Sequence, residues 1–162
     1  MLRLLSATLA TAFILAGCDQ NTANQATNSG TSAEPPDVTS KDFGDYVVHF
    51  NAISTDNLQP EVARTYNIAR SKNRAMLNVS LIKKVAGTIG QSVSGDVDIA
   101  ANNLTGQVKN LVLRKIQEGE AIYYIGDVSV ANMETLVFNL TVKPEDQAET
   151  YSVRFSRQFF SD

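Results

Sequence analysis

Few side chains in this sequence can carry chemistry, and each can be weighed by type and spacing. His49 is the sole imidazole, so a Ser-His-Asp triad would have to use it, and a multi-histidine metal site is impossible within one copy. His49 lies between Val48 and Phe50 on the opposite face of an alternating run, the place of a solvated strand histidine rather than a base. Ser80-Leu81-Ile82-Lys83 has the S-x-x-K spacing that, in penicillin-binding enzymes, stacks Ser and Lys on one helical turn. Leu77, Val79 and Leu81 alternate here as a strand does, so Ser80 and Lys83 face opposite ways, and the companion S-D-N and K-T-G motifs are missing. Asp96 and Asp98 share one strand face, but a hard cation would need further loop oxygens. Met76, Met133 and His49 are soft-metal ligand types scattered through the chain. No catalytic residue, metal site or cofactor site is expected.

Charge is more informative. The 162 residues hold 14 Lys and Arg against 17 Asp and Glu, a net charge of −3. Nucleic-acid binders need a basic excess for phosphate contacts, so that class is excluded. Between Arg64 and Lys115 nine basic residues stand against two acidic ones, and from Glu118 to Asp162 eight acidic residues stand against three basic ones. One arrangement of this asymmetry is a basic face toward anionic lipid, polysaccharide or an acidic envelope protein. The other is pairing of oppositely charged strands across the sheets. Arg70-Ser71-Lys72-Asn73-Arg74 is the compact basic turn, which makes Arg70, Lys72 and Arg74 the candidate binding surface.

A turn presents side chains only if a scaffold holds it. Residues 42–162 carry period-two alternation throughout. Tyr46, Val48, Phe50 and Ala52 share one face, as do Leu77, Val79 and Leu81, and then Val93, Val97 and Ile99. Leu111 and Leu113 suggest a fourth strand with a bulge near Asn110. Ile122, Tyr124, Val128 and Val130 follow a Gly119 hairpin connection, then Leu136, Phe138, Leu140 and Val142, ended by Pro144, and finally Tyr151, Val153, Phe155 and Phe159. Seven such strands predict an all-β, two-sheet antiparallel sandwich, immunoglobulin-like, without the Cys…Trp…Cys hallmark. One short helical turn is expected over Leu58–Arg64, where Pro60 suits a first turn and Glu61 its positive end; it is read as bridging the sheets.

The rest of the chain is not a fold. Residues 1–17 have a short start carrying one charge, Arg3, then an apolar stretch from Leu4 to Ala16, too short for a permanent span, which needs about 20 residues; this is a secretory signal. Its end, Leu15-Ala16-Gly17-Cys18, resembles the lipobox of bacterial lipoproteins. That resemblance implies export across a bacterial inner membrane and acylation of Cys18, the only cysteine. It also implies sorting by Asp19, which in enterobacterial lipoproteins favours the inner membrane. Residues 18–41 are the lipidated start and a polar tether, rich in Asn, Gln, Thr and Ser, that cannot bury enough surface to order itself.

Val48 to Ile53, Leu58 to Ala63, Tyr66 to Ile68, Arg70 to Leu77, Asn103 to Gln107, Glu118 to Ile125 and Val153 to Phe155 resemble a family of small exported gammaproteobacterial proteins known only as a domain of unknown function. The resemblance spans nearly all of residues 42–162 and implies a periplasmic sandwich, with no activity to carry over. The expected function is a non-enzymatic binding or accessory domain tethered to the periplasmic side of a membrane through Cys18. The alternatives are an envelope hydrolase and a carrier of a small apolar ligand between the sheets. A Cys18→Ala variant should stay unprocessed or be released from the membrane fraction; its continued fractionation with membranes after signal cleavage would overturn the lipid anchor.

Overall fold

Side chains at every second position along the alternating runs turn inward, and burying them forces two sheets together. The computed structural model describes residues 38–161, so Cys18, Asp19 and most of the tether lie outside it. The strands are β1 (Ser40–Asp42), β2 (Tyr46–Ser54), β3 (Arg74–Lys83), β4 (Gln91–Ser92), β5 (Gly95–Asn103), β6 (Val108–Lys109), β7 (Arg114–Glu118), β8 (Ala121–Ser129), β9 (Glu134–Pro144) and β10 (Tyr151–Phe159). One sheet runs β1-β2-β3-β8-β7 with β4 beside β3; the other runs β10-β9-β5-β6, and every pairing is antiparallel. Taken as A to G, the seven longer strands β2, β3, β5, β7, β8, β9 and β10 give A-B-E-D against C-F-G, the constant-type immunoglobulin arrangement.

The expected inward faces form one core. Tyr46, Val48, Phe50, Leu77, Val79 and Leu81 meet Leu136, Phe138, Leu140, Val142 and Val153 across the interlayer space. Aromatic rings take the place of the missing tryptophan. Phe155 lies 4.6 Å from Phe50 and 4.8 Å from Phe138, ring centre to ring centre, so one ring joins both sheets. Tyr124 of β8 crosses the same space: its hydroxyl donates to Gly95 O at 2.7 Å and accepts from Gly95 N at 2.8 Å.

Two expectations are corrected. Residues 110–113 are not a strand: β6 pairs with β5 in one sheet and β7 with β8 in the other, so this segment crosses between sheets. Leu111 still points into the core, because an extended crossover alternates as a strand does. Gly126 is the position that lets it pass, since a Cβ there would come within 2.4 Å of Val112 O. The helix, α1 (Pro60–Thr65), does not bridge the sheets. It lies on the outer face of the first one, where Leu58, Ala63 and Ile68 pack on Met76 and Ile125.

Polar groups close the two ends. At the Tyr46 end, the Tyr46 hydroxyl donates to Asp146 at 2.7 Å and Lys83 pairs with the same carboxylate. At the Ser54 end, where β2 finishes and β9 begins, Glu134 is held by Lys109 at 2.7 Å, Asn103 at 3.0 Å and Ala131 N at 2.9 Å. Burial pushes the Glu134 carboxyl up, but the bonds from Lys109, Ala131 and Asn103 outweigh it and hold the group below its ordinary value.

Tyr124→Phe removes both inter-sheet bonds to the half-buried backbone of Gly95 and should cost about 1–3 kcal/mol in urea unfolding, with an unchanged fold by circular dichroism. Glu134→Gln should destabilise by a similar amount, about 1–3 kcal/mol, near pH 7. Because folding lowers the Glu134 pKa, its contribution is present above the ordinary carboxylate range and vanishes as pH falls through the folded value. The gap between wild type and Glu134→Gln should therefore narrow in unfolding curves taken at acid pH, and a constant gap would refute the assignment.

Candidate functional site

The basic turn belongs to the 54–73 connection between β2 and β3, and a buried threonine fixes its course. Thr55 is fully buried. Its hydroxyl donates toward Ala69 O at 2.8 Å and Ser71 O at 3.0 Å, and accepts from Ser71 N at 2.9 Å. Between these points Pro60 opens α1, where its missing N–H costs nothing. The helix stops at Asn67, whose φ of 49° is left-handed. Asn67 N bonds Arg64 O at 3.1 Å and Ile68 N bonds Ala63 O at 2.8 Å, a Schellman end that seats Ile68 on the sheet. Arg114 donates to Tyr66 O, and Glu118 accepts from the Tyr66 hydroxyl, which raises the phenol pKa. The connection is thus tied to β3, β7 and β8.

Beside α1 this leaves an open groove of about 810 Å³ walled by Arg64, Arg70, Arg74 and Asp127, with Ala63, Ile68 and Ala69 along its floor. Arg74 is clamped to Asp127, its Nε 2.7 Å from Oδ2. Arg70 spends one nitrogen on Asp56 O at 2.7 Å. Arg64 meets Glu61 at 2.9 Å, both side chains 72% exposed, a pair worth little in water. Two guanidinium forks therefore remain available for a carboxylate, sulfate or phosphate, beside a third fixed in place.

The predicted surface is brought together in part. Arg70 and Arg74 line the groove; Lys72 lies on the same turn but not along its wall. Arg64 and Asp127 belong to the site and were missed. Asp127 is legible as an outward residue of β8, since Val128 and Val130 face in, but its pairing with Arg74 requires knowing that β3 and β8 are neighbours. Part of the wider charge asymmetry resolves as ion pairs: Arg74–Asp127, Lys83–Asp146, Lys109–Glu134 and Lys115–Glu145 each join the basic segment to a strand or loop of the acidic one. The run from Arg64 to Lys115 does not form one face.

The other candidates stay apart. Ser80 and Lys83 face opposite sides of β3, with Lys83 engaged by Asp146. His49 stands across from Ser80 in register, flanked by the Asn51–Asn78 pair. Asp96 and Asp98 are exposed on β5 opposite Lys143 and Thr141. Met76 is buried under α1, whereas Met133 is exposed at the β8–β9 turn. Among the described residues no three His, Cys, Asp or Glu side chains gather as a metal site would require, and no helix is long and apolar enough to cross a membrane.

The model of DUF4426, a domain of unknown function, matches residues 40–162. The crystal structure of a DUF4426 family protein from Pseudomonas aeruginosa is similar at 32% identity and a TM-score of 0.64, over 76% of this chain and 94% of that one. FetP of uropathogenic Escherichia coli strain F11 is similar at 8% identity and a TM-score of 0.53, over 75% and 92% of the two chains, a likeness of fold alone. No curated protein matches the sequence.

Proposed function

This chain belongs to the DUF4426 family, and we propose that it is a non-enzymatic, membrane-tethered periplasmic lipoprotein whose sandwich serves as a binding or accessory domain of the cell envelope. The tether reading rests on the lipobox through Cys18 and the sorting position Asp19. The binding reading rests on one observation, the groove in which Arg64, Arg70 and Arg74 face a single wall carboxylate, Asp127. Its occupant is an anionic group of an envelope component. A hydrolase of the Ser-His-Asp type would need a carboxylate beside His49 to stabilise an imidazolium; its partners in register are Ser40 and Ser80, with the Asn51–Asn78 pair next along the strands. A carrier would need space between the sheets, and that layer is occupied by Tyr46, Phe50, Phe138 and their neighbours.

A photo-crosslinking side chain at Asn67, on the groove wall, tests this in cells with Cys18 intact. Adducts should fall about tenfold when Arg64 and Arg70 are both changed to Glu, because two favourable charge contacts become repulsive. Arg154→Glu, on the exposed face of β10, should leave them unchanged. Equal adduct yields in both variants would remove the groove from the proposal.

A further inference from the structure

The Ser54 end of the sandwich carries three large apolar side chains at neighbouring strand ends. In the second sheet, the order β10-β9-β5 sets Phe160, Met133 and Leu104 side by side, just beyond Phe159, Glu134 and Asn103. Hydrogen bonds hold the three tips to one another. Gln158 donates to Met133 O at 3.2 Å, Ser161 N to Asn132 Oδ1 at 3.1 Å, and Asn103 to Glu134 at 3.0 Å. Yet Leu104 is 73% exposed, Met133 65% and Phe160 61%. Met133 has a φ of 59°, a conformation that favours Gly or Asn. A large apolar side chain there gains neither backbone preference nor burial from the fold.

The same end carries the basic turn, since Val130 N bonds Asn73 O at 2.9 Å and Arg74 sits opposite Ser129. Arg70 and Lys72 are exposed on that turn. The tether joins toward this end too. Ser40 pairs with His49, and Phe50 N donates to Thr39 O at 2.8 Å, so the chain traced backward from β1 runs along β2 in the direction of Ser54. Val38, where the described chain starts, is itself exposed.

We propose that the Ser54 end is a membrane-docking face, with Leu104, Met133 and Phe160 entering the headgroup layer of an anionic bilayer while Arg70 and Lys72 meet lipid phosphates. Apolar tips set beside cations are the combination that binds an anionic interface, by buried apolar area and electrostatic attraction together. For its setting the proposal rests on the tethered reading above. The tether would keep the domain at the surface, and the docking face would orient it, turning the Arg64–Arg70–Arg74 groove toward the headgroups.

The test uses the full mature chain carrying Cys18→Ser, which removes acylation, with vesicles of phosphatidylcholine alone or with about 30 mol% phosphatidylglycerol. Cosedimentation should require the anionic lipid and weaken in about 0.5 M salt. Leu104→Asp, Met133→Asp and Phe160→Asp should each lower vesicle partition at least about fivefold, while Ile89→Asp, in the β3–β4 loop at the Tyr46 end, should not. A second readout does not depend on the stability of the Asp variants. With Cys18 removed, Met133→Cys carries a single environment-sensitive fluorophore, whose emission should shift blue on adding anionic vesicles; the same label at Ile89→Cys should not respond. Failure to bind anionic vesicles, or equal responses at Met133 and Ile89, overturns the proposal. So does a stable dimer in sedimentation velocity that the Asp variants dissociate, since the occupant is then a second copy. The anchor fails separately: a chain that ignores vesicles but leaves the membrane in cells on Cys18→Ala keeps its tether and loses its docking face.

Discussion

Two sheets with no disulfide between them must be fastened by side chains, and the bond from Tyr124 to Gly95 is where that requirement is met by polar groups. A single cysteine, Cys18, ahead of the sandwich cannot supply the inter-sheet disulfide that antibody domains use. The tyrosine hydroxyl satisfies both backbone groups of one residue on the facing sheet, so it fixes separation and register together. Gly95 cannot be replaced by a larger residue, because a Cβ would lie 2.5 Å from Lys143 O on the neighbouring strand. The close approach of β5 to β9 and the reach of Tyr124 are thus one constraint. Phe155, between Phe50 and Phe138, continues the fastening with apolar area instead of a polar bond.

Once the interlayer space is filled, whatever the domain recognises must be met on its rim or outer faces. The connections are built accordingly. Thr55 takes a buried position that an apolar residue would fill more cheaply, and uses it to pin Ala69 and Ser71. The effect is to hold a long connection still although only one short helix lies within it. A mobile loop bearing Arg64 and Arg70 would lose side-chain and backbone entropy on meeting an anion; a pinned one has already lost it.

The strands were legible because alternation reports which side chains turn inward, and burial is what pairs the sheets. The same property explains the error at Leu111 and Leu113. Alternation is a statement about facing, and a crossover that stays extended while passing over Gly126 satisfies it without a hydrogen-bonded neighbour. The helix was legible from Pro60 and Glu61, but its place was not. Val62, Ala63 and Tyr66 show that one side is apolar, and nothing local says whether that side meets a second sheet or the back of the first. Arg70 and Arg74 were found because they are close in sequence. Asp127 was not, because its link to Arg74 is a property of strand order, set by contacts fifty residues apart.

Charge illustrates why composition alone overreaches. A run with nine basic and two acidic residues reads as a surface, yet a sheet interleaves distant segments, and β3, β6 and β7 each find an acidic partner on another strand or loop. Pairing cancels the field where strands lie side by side and leaves it where the chain departs from the sheet. The 54–73 connection is such a place: Arg70 gives one nitrogen to a neutral carbonyl, and Arg64 has only a solvent-screened glutamate. The uncancelled charge of Arg64 and Arg70 and the uncovered tips Leu104, Met133 and Phe160 meet at the Ser54 end for the same geometric reason, as Ile89 stays uncovered in a loop at the other. Strand pairing consumes both along the sheets and consumes neither where the strands stop.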